Sequence, residues 1–187
     1  MFDIDDALAE VVARATEPAL AAIKLAWWRE QLEALGRKKP PAEPRLRAAA
    51  AELLPRGITG ADLAGLEESW ALLLRTDDQP LFMRGVASRG PLLFTLAARL
   101  LGIAMDDHLD NAAQSFAAAD LGRRGIIDLV PLKLMRSKVR TPRRFRPLIA
   151  LEVLARRDMQ QGGPPFEPEA SPGRSWALIR HRLSGRK

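Results

Sequence analysis

Apolar residues recur along this chain at helical spacing almost from end to end. Ile4, Leu8, Val11 and Val12 mark one side of a short helix over residues 3–15. Thr16-Glu17-Pro18 reads as a restart, with Thr16 as N-cap and Pro18 in the first turn, where a missing N–H is harmless. The helix that follows, up to Gly36, carries two apolar rows. Leu20, Ile23 and Trp27 form one; Leu25, Trp28, Leu32 and Leu35 form the other. Adjacent helical residues point about 100° apart, so Trp27 and Trp28 cannot share a narrow face. Two adjacent rows predict a helix buried over a wide arc, at the centre of an all-α core.

The pattern continues with a helix from Pro44 to Leu54, stopped by Pro55. Thr59 with Asp62 three residues on has capping-box spacing, and Leu63, Leu66, Trp70 and Leu73/Leu74 follow at a period of 3.6. Leu81 to Leu101 reads as one long helix that Pro91 kinks or divides, with Gly85, Ser88 and Gly90 near one another on one side and Gly102 as C-cap. Small residues there mean close packing or room for a ligand. Asp106 or Asp107 opens a helix to about Gly122. After an apolar piece from Ile126 to Met135, Thr141-Pro142 starts a helix with Leu148, Leu151 and Leu154/Ala155 in a row. Gly162 to Glu169 reads as an irregular loop, and Ser171 caps a last amphipathic helix bearing Trp176, Ile179 and Leu183. No strand pattern, internal repeat or glycine-rich phosphate loop is present. The expected fold is all-α, a single domain over residues 1–187.

Composition narrows the chemistry. The chain has no cysteine, which removes disulfides and thiolate catalysis, and its two histidines, His108 and His181, lie far apart in sequence, against a histidine zinc site. The longest apolar run, Leu92 to Met105, is interrupted by Arg99 and is too short to span a bilayer. The acidic start Met1 to Asp6 has no signal-peptide pattern, so the sequence reads as cytoplasmic. Charge is split between the halves. Residues 1–122 hold 13 basic and 18 acidic side chains; residues 123–187 hold 16 basic and 5 acidic. The basic half can draw in a diphosphate, an anionic membrane surface, an acidic protein partner or RNA. Its densest part includes Lys133, Arg136, Lys138, Arg140, Arg143, Arg144 and Arg146, which read as a solvated face or as a diphosphate or anion contact. Phe145 is the one aromatic there, too few for base stacking, so nucleic acid is the least favoured of these partners.

Lys24-Leu-Ala-Trp-Trp-Arg-Glu30 resembles the (I/M)RLxWWR segment of the squalene/phytoene synthase-like family, α-helical enzymes that join two prenyl diphosphates. Arg99-Leu-Leu-Gly-Ile103, followed by Asp110-Asn-Ala-Ala-Gln114, is similar to the family's LLGI…A…G.A.Q passage. Arg156-Arg-Asp158 and the capped Trp176 helix resemble its C-terminal helices. The resemblance implies an isoprenoid-synthase-like helical bundle, shortened at its N-terminus by a helix or two. It implies a prenyl cavity lined by Trp27, Trp28, Gly85 and Gly90. It also implies Mg²⁺ ions held by two DxxxD-type motifs, whose i, i+4 spacing puts both carboxylates on one helix face.

Asp6 and Glu10 are the candidates for the first motif. At the second, Asp120 is followed four residues later by Arg124 rather than a carboxylate. Asp106-Asp107-His108-Leu109-Asp110 spells DDxxD, the metal motif of related prenyltransferases, but Asp at a helix start is equally a cap in a favourable dipole field. With the second motif lost, the resemblance implies a catalytically degenerate relative that binds an isoprenoid, a lipid or a protein partner. The family has such a branch, which includes an assembly factor for mitochondrial complex I. The alternatives are an active Mg²⁺-dependent transferase using these carboxylates, and a basic helical module for an acidic partner or RNA.

Overall fold

Side-chain caps set where four of the helices begin. Glu43, Thr59, Asp106 and Ser171 each accept a hydrogen bond from the backbone N–H three residues on, which occupies a donor that the first helical turn leaves unsatisfied. A computed structural model describes residues 1–129 and 140–186, and the regular structure among them is helical. It comprises α1 (Phe2–Ala13), α2 (Pro18–Ala34), α3 (Pro44–Ala48), α4 (Gly60–Leu72), α5 (Gln79–Leu101), α6 (Asp107–Arg123), α7 (Arg146–Gln161) and α8 (Pro172–Ser184). Among the described residues no helix is long and apolar enough to cross a membrane. The chain divides into two compact units, Met1–Leu96 and Ala97–Lys187.

In the first unit α4 packs on α2 and α1. Thr59 and Asp62 form the full capping box, and Leu63, Leu66, Trp70 and Leu73 are buried at the anticipated spacing. They meet Ile4 and Leu8 from α1 and Leu25, Trp28 and Leu32 from α2. The second apolar row of α2 departs from expectation. Leu20, Ile23 and Trp27 are exposed, because α2 is covered on one side and the rows point in different directions. The start of α2 is also corrected: Glu17, not Thr16, is the N-cap, and it caps through geometry alone, with Pro18 opening the helix. Downstream of α3 the chain does not stop at Pro55. It passes through a π turn (Ala49–Leu53) and a 3₁₀ turn (Leu54–Arg56), which accommodate a residue that cannot donate to an α-helical ladder.

The long helix α5 continues through Pro91. At Gly85 an added Cβ would stand 2.9 Å from Leu72 Cβ and 2.9 Å from the Ser69 carbonyl oxygen, so this small residue serves close packing of α5 on α4. The hydroxyls of Ser69 and Ser88 meet across the same contact at 2.9 Å. Gly85→Val is expected to overpack this crossing and lower stability by about 1–3 kcal/mol. The shift in the urea unfolding midpoint measures it, and an unchanged midpoint would mean the helices part without cost.

In the second unit α7 packs against both α6 and α8. Asp106 is the N-cap of α6, and Gly162 and Gly185 end α7 and α8 in left-handed conformation, φ +80° and +69°, which a Cβ would oppose. Leu148 and Ala155 are buried as their row anticipates. The remainder of the buried face of α7 is Ile149, Glu152, Val153, Asp158 and Met159, with Leu151 and Leu154 only half-buried. The amphipathic α8 departs most from a core-facing helix: Trp176, Ile179 and Leu183 face outward, and its buried positions are Arg174, Ala177 and His181.

Candidate functional site

The acidic candidates are placed as follows. Asp6 and Glu10 lie on the exposed side of α1, and Glu10 is 3.8 Å from Arg14 one turn on. Glu10 also lines an open cleft of about 320 Å³ between α1 and α2, together with Leu20, Lys24, Trp28 and Arg45. Asp106 accepts the Leu109 N–H at 2.8 Å, Asp107 is exposed in the first turn of α6, and Asp110 accepts from the Gln114 amide at 2.7 Å. The DDxxD stretch therefore begins a helix, with Asp106 as its cap. Asp120 is held by Arg124 at 3.0 Å, the residue that replaces the second carboxylate. Among the described residues no three His, Asp or Glu side chains gather as a metal site.

The residues expected around a prenyl cavity are placed as follows. Trp28 is buried and lines the α1–α2 cleft. Trp27 packs edge-to-face on it, centroids 5.4 Å apart, but stands outside the cleft and exposed. Gly85 is filled by α4, and Gly90 is buried in α5.

Of the basic candidates, Arg136 and Lys138 lie outside the described residues. Arg140, Arg143 and Arg144 are exposed. Arg144 covers the buried Phe145 ring at 4.8 Å, so that ring offers no face to a base. The segment is tied to the end of α8. The Thr141 N–H donates to the Gly185 carbonyl (2.8 Å), and Arg146 donates through Nη1 to the Arg182 carbonyl (2.7 Å) and through Nε to the Thr141 carbonyl (3.2 Å).

These ties frame a cleft of about 580 Å³ between the start of α7 and α8. Pro147, Ala150 and Leu178 form its apolar wall; Arg143, Arg146 and Arg182 supply positive charge; among the described residues no acidic side chain lines it. His181 also borders it. This ring is buried, and its Nδ1 lies 3.0 Å from the Arg186 carbonyl oxygen, an acceptor only, so Nδ1 carries a proton. The volume falls in the range of small-molecule sites. An apolar chain with an anionic head matches its chemistry. Arg143 was legible in the basic run of the sequence. Arg146 stood in the same run without being singled out as a ligand, and Leu178, His181 and Arg182 gave no local signal. Only the pairing of α7 with α8 brings them to it.

The other concentrations of charge are structural. Asp5, Arg89 and Trp70 form one buried group, and Asp158, Arg123 and Arg174 another. Burial pushes the Glu67 carboxyl up, partly offset by Arg29 at 3.5 Å across the α2–α4 contact. Glu167 is held down by the Ser171 hydroxyl and by Arg157, and so stays a charged anchor for the start of α8. In comparisons with known proteins no family model matches the chain, and no curated protein or solved structure matches it significantly.

Proposed function

We propose that this protein is a non-catalytic binder of an anionic amphiphile, with an isoprenoid diphosphate as the ligand class, held between α7 and α8. The observation that carries the reading is the apolar cleft rimmed by Arg143, Arg146 and Arg182, with no acidic side chain among the described residues of its lining. The arginines would pair with phosphate oxygens while the hydrocarbon lies along Pro147, Ala150 and Leu178. The tryptophan-helix resemblance supports reading the chain as a degenerate squalene/phytoene synthase-like protein with an isoprenoid-synthase-like bundle. The pairing of Asp120 with Arg124, and the use of Asp106 as a cap, support binding over condensation.

Titration with farnesyl and geranylgeranyl diphosphate, with Mg²⁺ present, tests this by following melting temperature and diphosphate release together. A saturable rise in melting temperature without release is the expected result, since a ligand that binds only the folded state stabilises it. Arg143→Ala/Arg182→Ala is expected to weaken binding at least tenfold, on the order of 1.5–3 kcal/mol for a charge-assisted contact. Both side chains are exposed, so the fold persists. Diphosphate release that disappears in Asp6→Asn, Asp106→Asn or Asp107→Asn would overturn the reading and make the protein a transferase.

A further inference from the structure

Helix α8 is built with its polar side in and its apolar side out. At about 100° per residue, Trp176, Ile179 and Leu183 fall within an arc of about 60°, and the centre of the buried trio Arg174, Ala177 and His181 lies about 160° away. The outward residues are 64%, 49% and 77% exposed, whereas His181 is 1% exposed. Polar bonds to α7 hold the helix this way. Arg174 donates to Asp158 at 2.7 Å, and Arg146 donates to the Arg182 carbonyl at 2.7 Å. A continuous stripe of Trp, Ile and Leu left in water marks a surface that meets a partner.

The charges around the stripe say which partner. The exposed Arg180 and Arg182 flank its two sides, Arg186 stands beyond its end, and α8 contains no acidic residue. The Thr141–Gly185 bond brings Arg140, Arg143 and Arg144 to the same end of the helix. A second copy of the chain placed on the stripe would set these arginines against their own equivalents. A lipid surface with acidic headgroups meets all of them at once. Trp176 suits the interfacial layer, Ile179 and Leu183 enter the acyl boundary, and the arginines extend along apolar surface to the phosphates.

We propose that α8 docks this protein on an anionic membrane surface through Trp176, Ile179 and Leu183, with Arg180 and Arg186 on lipid phosphates. The inference uses the outer face of α8 and does not depend on a ligand in the cleft.

Flotation with vesicles of phosphatidylcholine, with and without phosphatidylglycerol, tests it. Binding is expected to vesicles containing phosphatidylglycerol and to weaken as salt rises. Arg180→Gln is expected to lower partitioning about fivefold, the effect of one charge near such a surface. Trp176→Ser/Leu183→Ser is expected to lower it at least tenfold while leaving the thermal melt of the free protein in place, because both side chains are already in water. Absence of flotation, equal flotation on both vesicle types, or undiminished binding by Trp176→Ser/Leu183→Ser would overturn the proposal. So would a wild-type dimer that the same double substitution converts to monomer, since a second copy would then own the stripe.

Discussion

Asp5→Ala is expected to remove about 3–5 kcal/mol of folding stability, the cost of leaving a buried charge without its partner. Asp5 sits in the first turn of α1 and is buried. It accepts from Arg89 Nε at 3.0 Å and from Arg89 Nη2 at 2.5 Å, a two-pronged pairing, and from the Trp70 indole N–H at 2.8 Å. The guanidinium also lies over the Trp70 ring at 4.4 Å. One carboxylate thus joins α1, α4 and α5, and its loss takes the ion-pair partner from a guanidinium that is itself buried. Whole domains are stable by about 5–15 kcal/mol, so the loss is a large fraction of the total.

Asp5→Asn separates charge from shape: it retains an acceptor for Trp70 and is expected to fall between wild type and Asp5→Ala. Asp5→Leu/Arg89→Met removes both charges and is expected to recover much of the deficit, because an apolar pair can match a buried ion pair. Urea unfolding of the set measures the order. A loss below about 1 kcal/mol for Asp5→Ala, the range of an exposed ion pair, would mean that water reaches this site.

Such long-range pairing is the part of the fold that sequence patterns do not carry. Thr59 with Asp62, Asp106, and Ser171 were legible because a cap is a local arrangement, completed within three residues. The core row of α4 was legible for the same reason: its spacing repeats along one helix. Burial depends on which side a neighbour covers, and periodicity alone does not supply that. Leu20, Ile23 and Trp27 satisfy the helical period as well as Leu25, Trp28 and Leu32 do, yet α1 and α4 cover only the latter row. In α8 the stripe at Trp176, Ile179 and Leu183 identified a helix but not which of its faces turns inward. That face is set by Asp158, which lies on α7 and draws Arg174 inward. The candidate site divides the same way. Arg143 belongs to a visible run of basic residues, whereas His181 and Arg182 reach the cleft only because the end of α8 is tied to Thr141 and Arg146.

Asp158→Ala is expected to cost the second unit at least as much as a broken buried pair, about 3–5 kcal/mol, because two cations share this carboxylate. Asp158 Oδ1 accepts from Arg174 Nη1 at 2.7 Å and from Arg123 Nη1 at 3.0 Å, so a single oxygen gathers α6, α7 and α8. Removing it leaves two guanidiniums that face each other without the anion between them, and desolvation and like-charge repulsion then act together. Arg123 keeps a bond to the Glu167 carbonyl (3.1 Å) and its place over Phe166, whereas Arg174 is buried and loses its ion-pair partner. The damage is therefore expected to concentrate at α8, read as faster amide hydrogen exchange there than in α6. Arg174→Met provides the internal comparison. It deletes one cation, leaves Asp158 paired with Arg123, and fills similar space with an apolar chain, so it is expected to cost less than Asp158→Ala. Chemical denaturation of both variants decides the matter. If Arg174→Met proves the more damaging, the packing of Arg174 rather than the shared carboxylate holds α8 on α7. If Asp158→Ala does, the shared carboxylate rather than the packing of Arg174 is what holds α8 on α7.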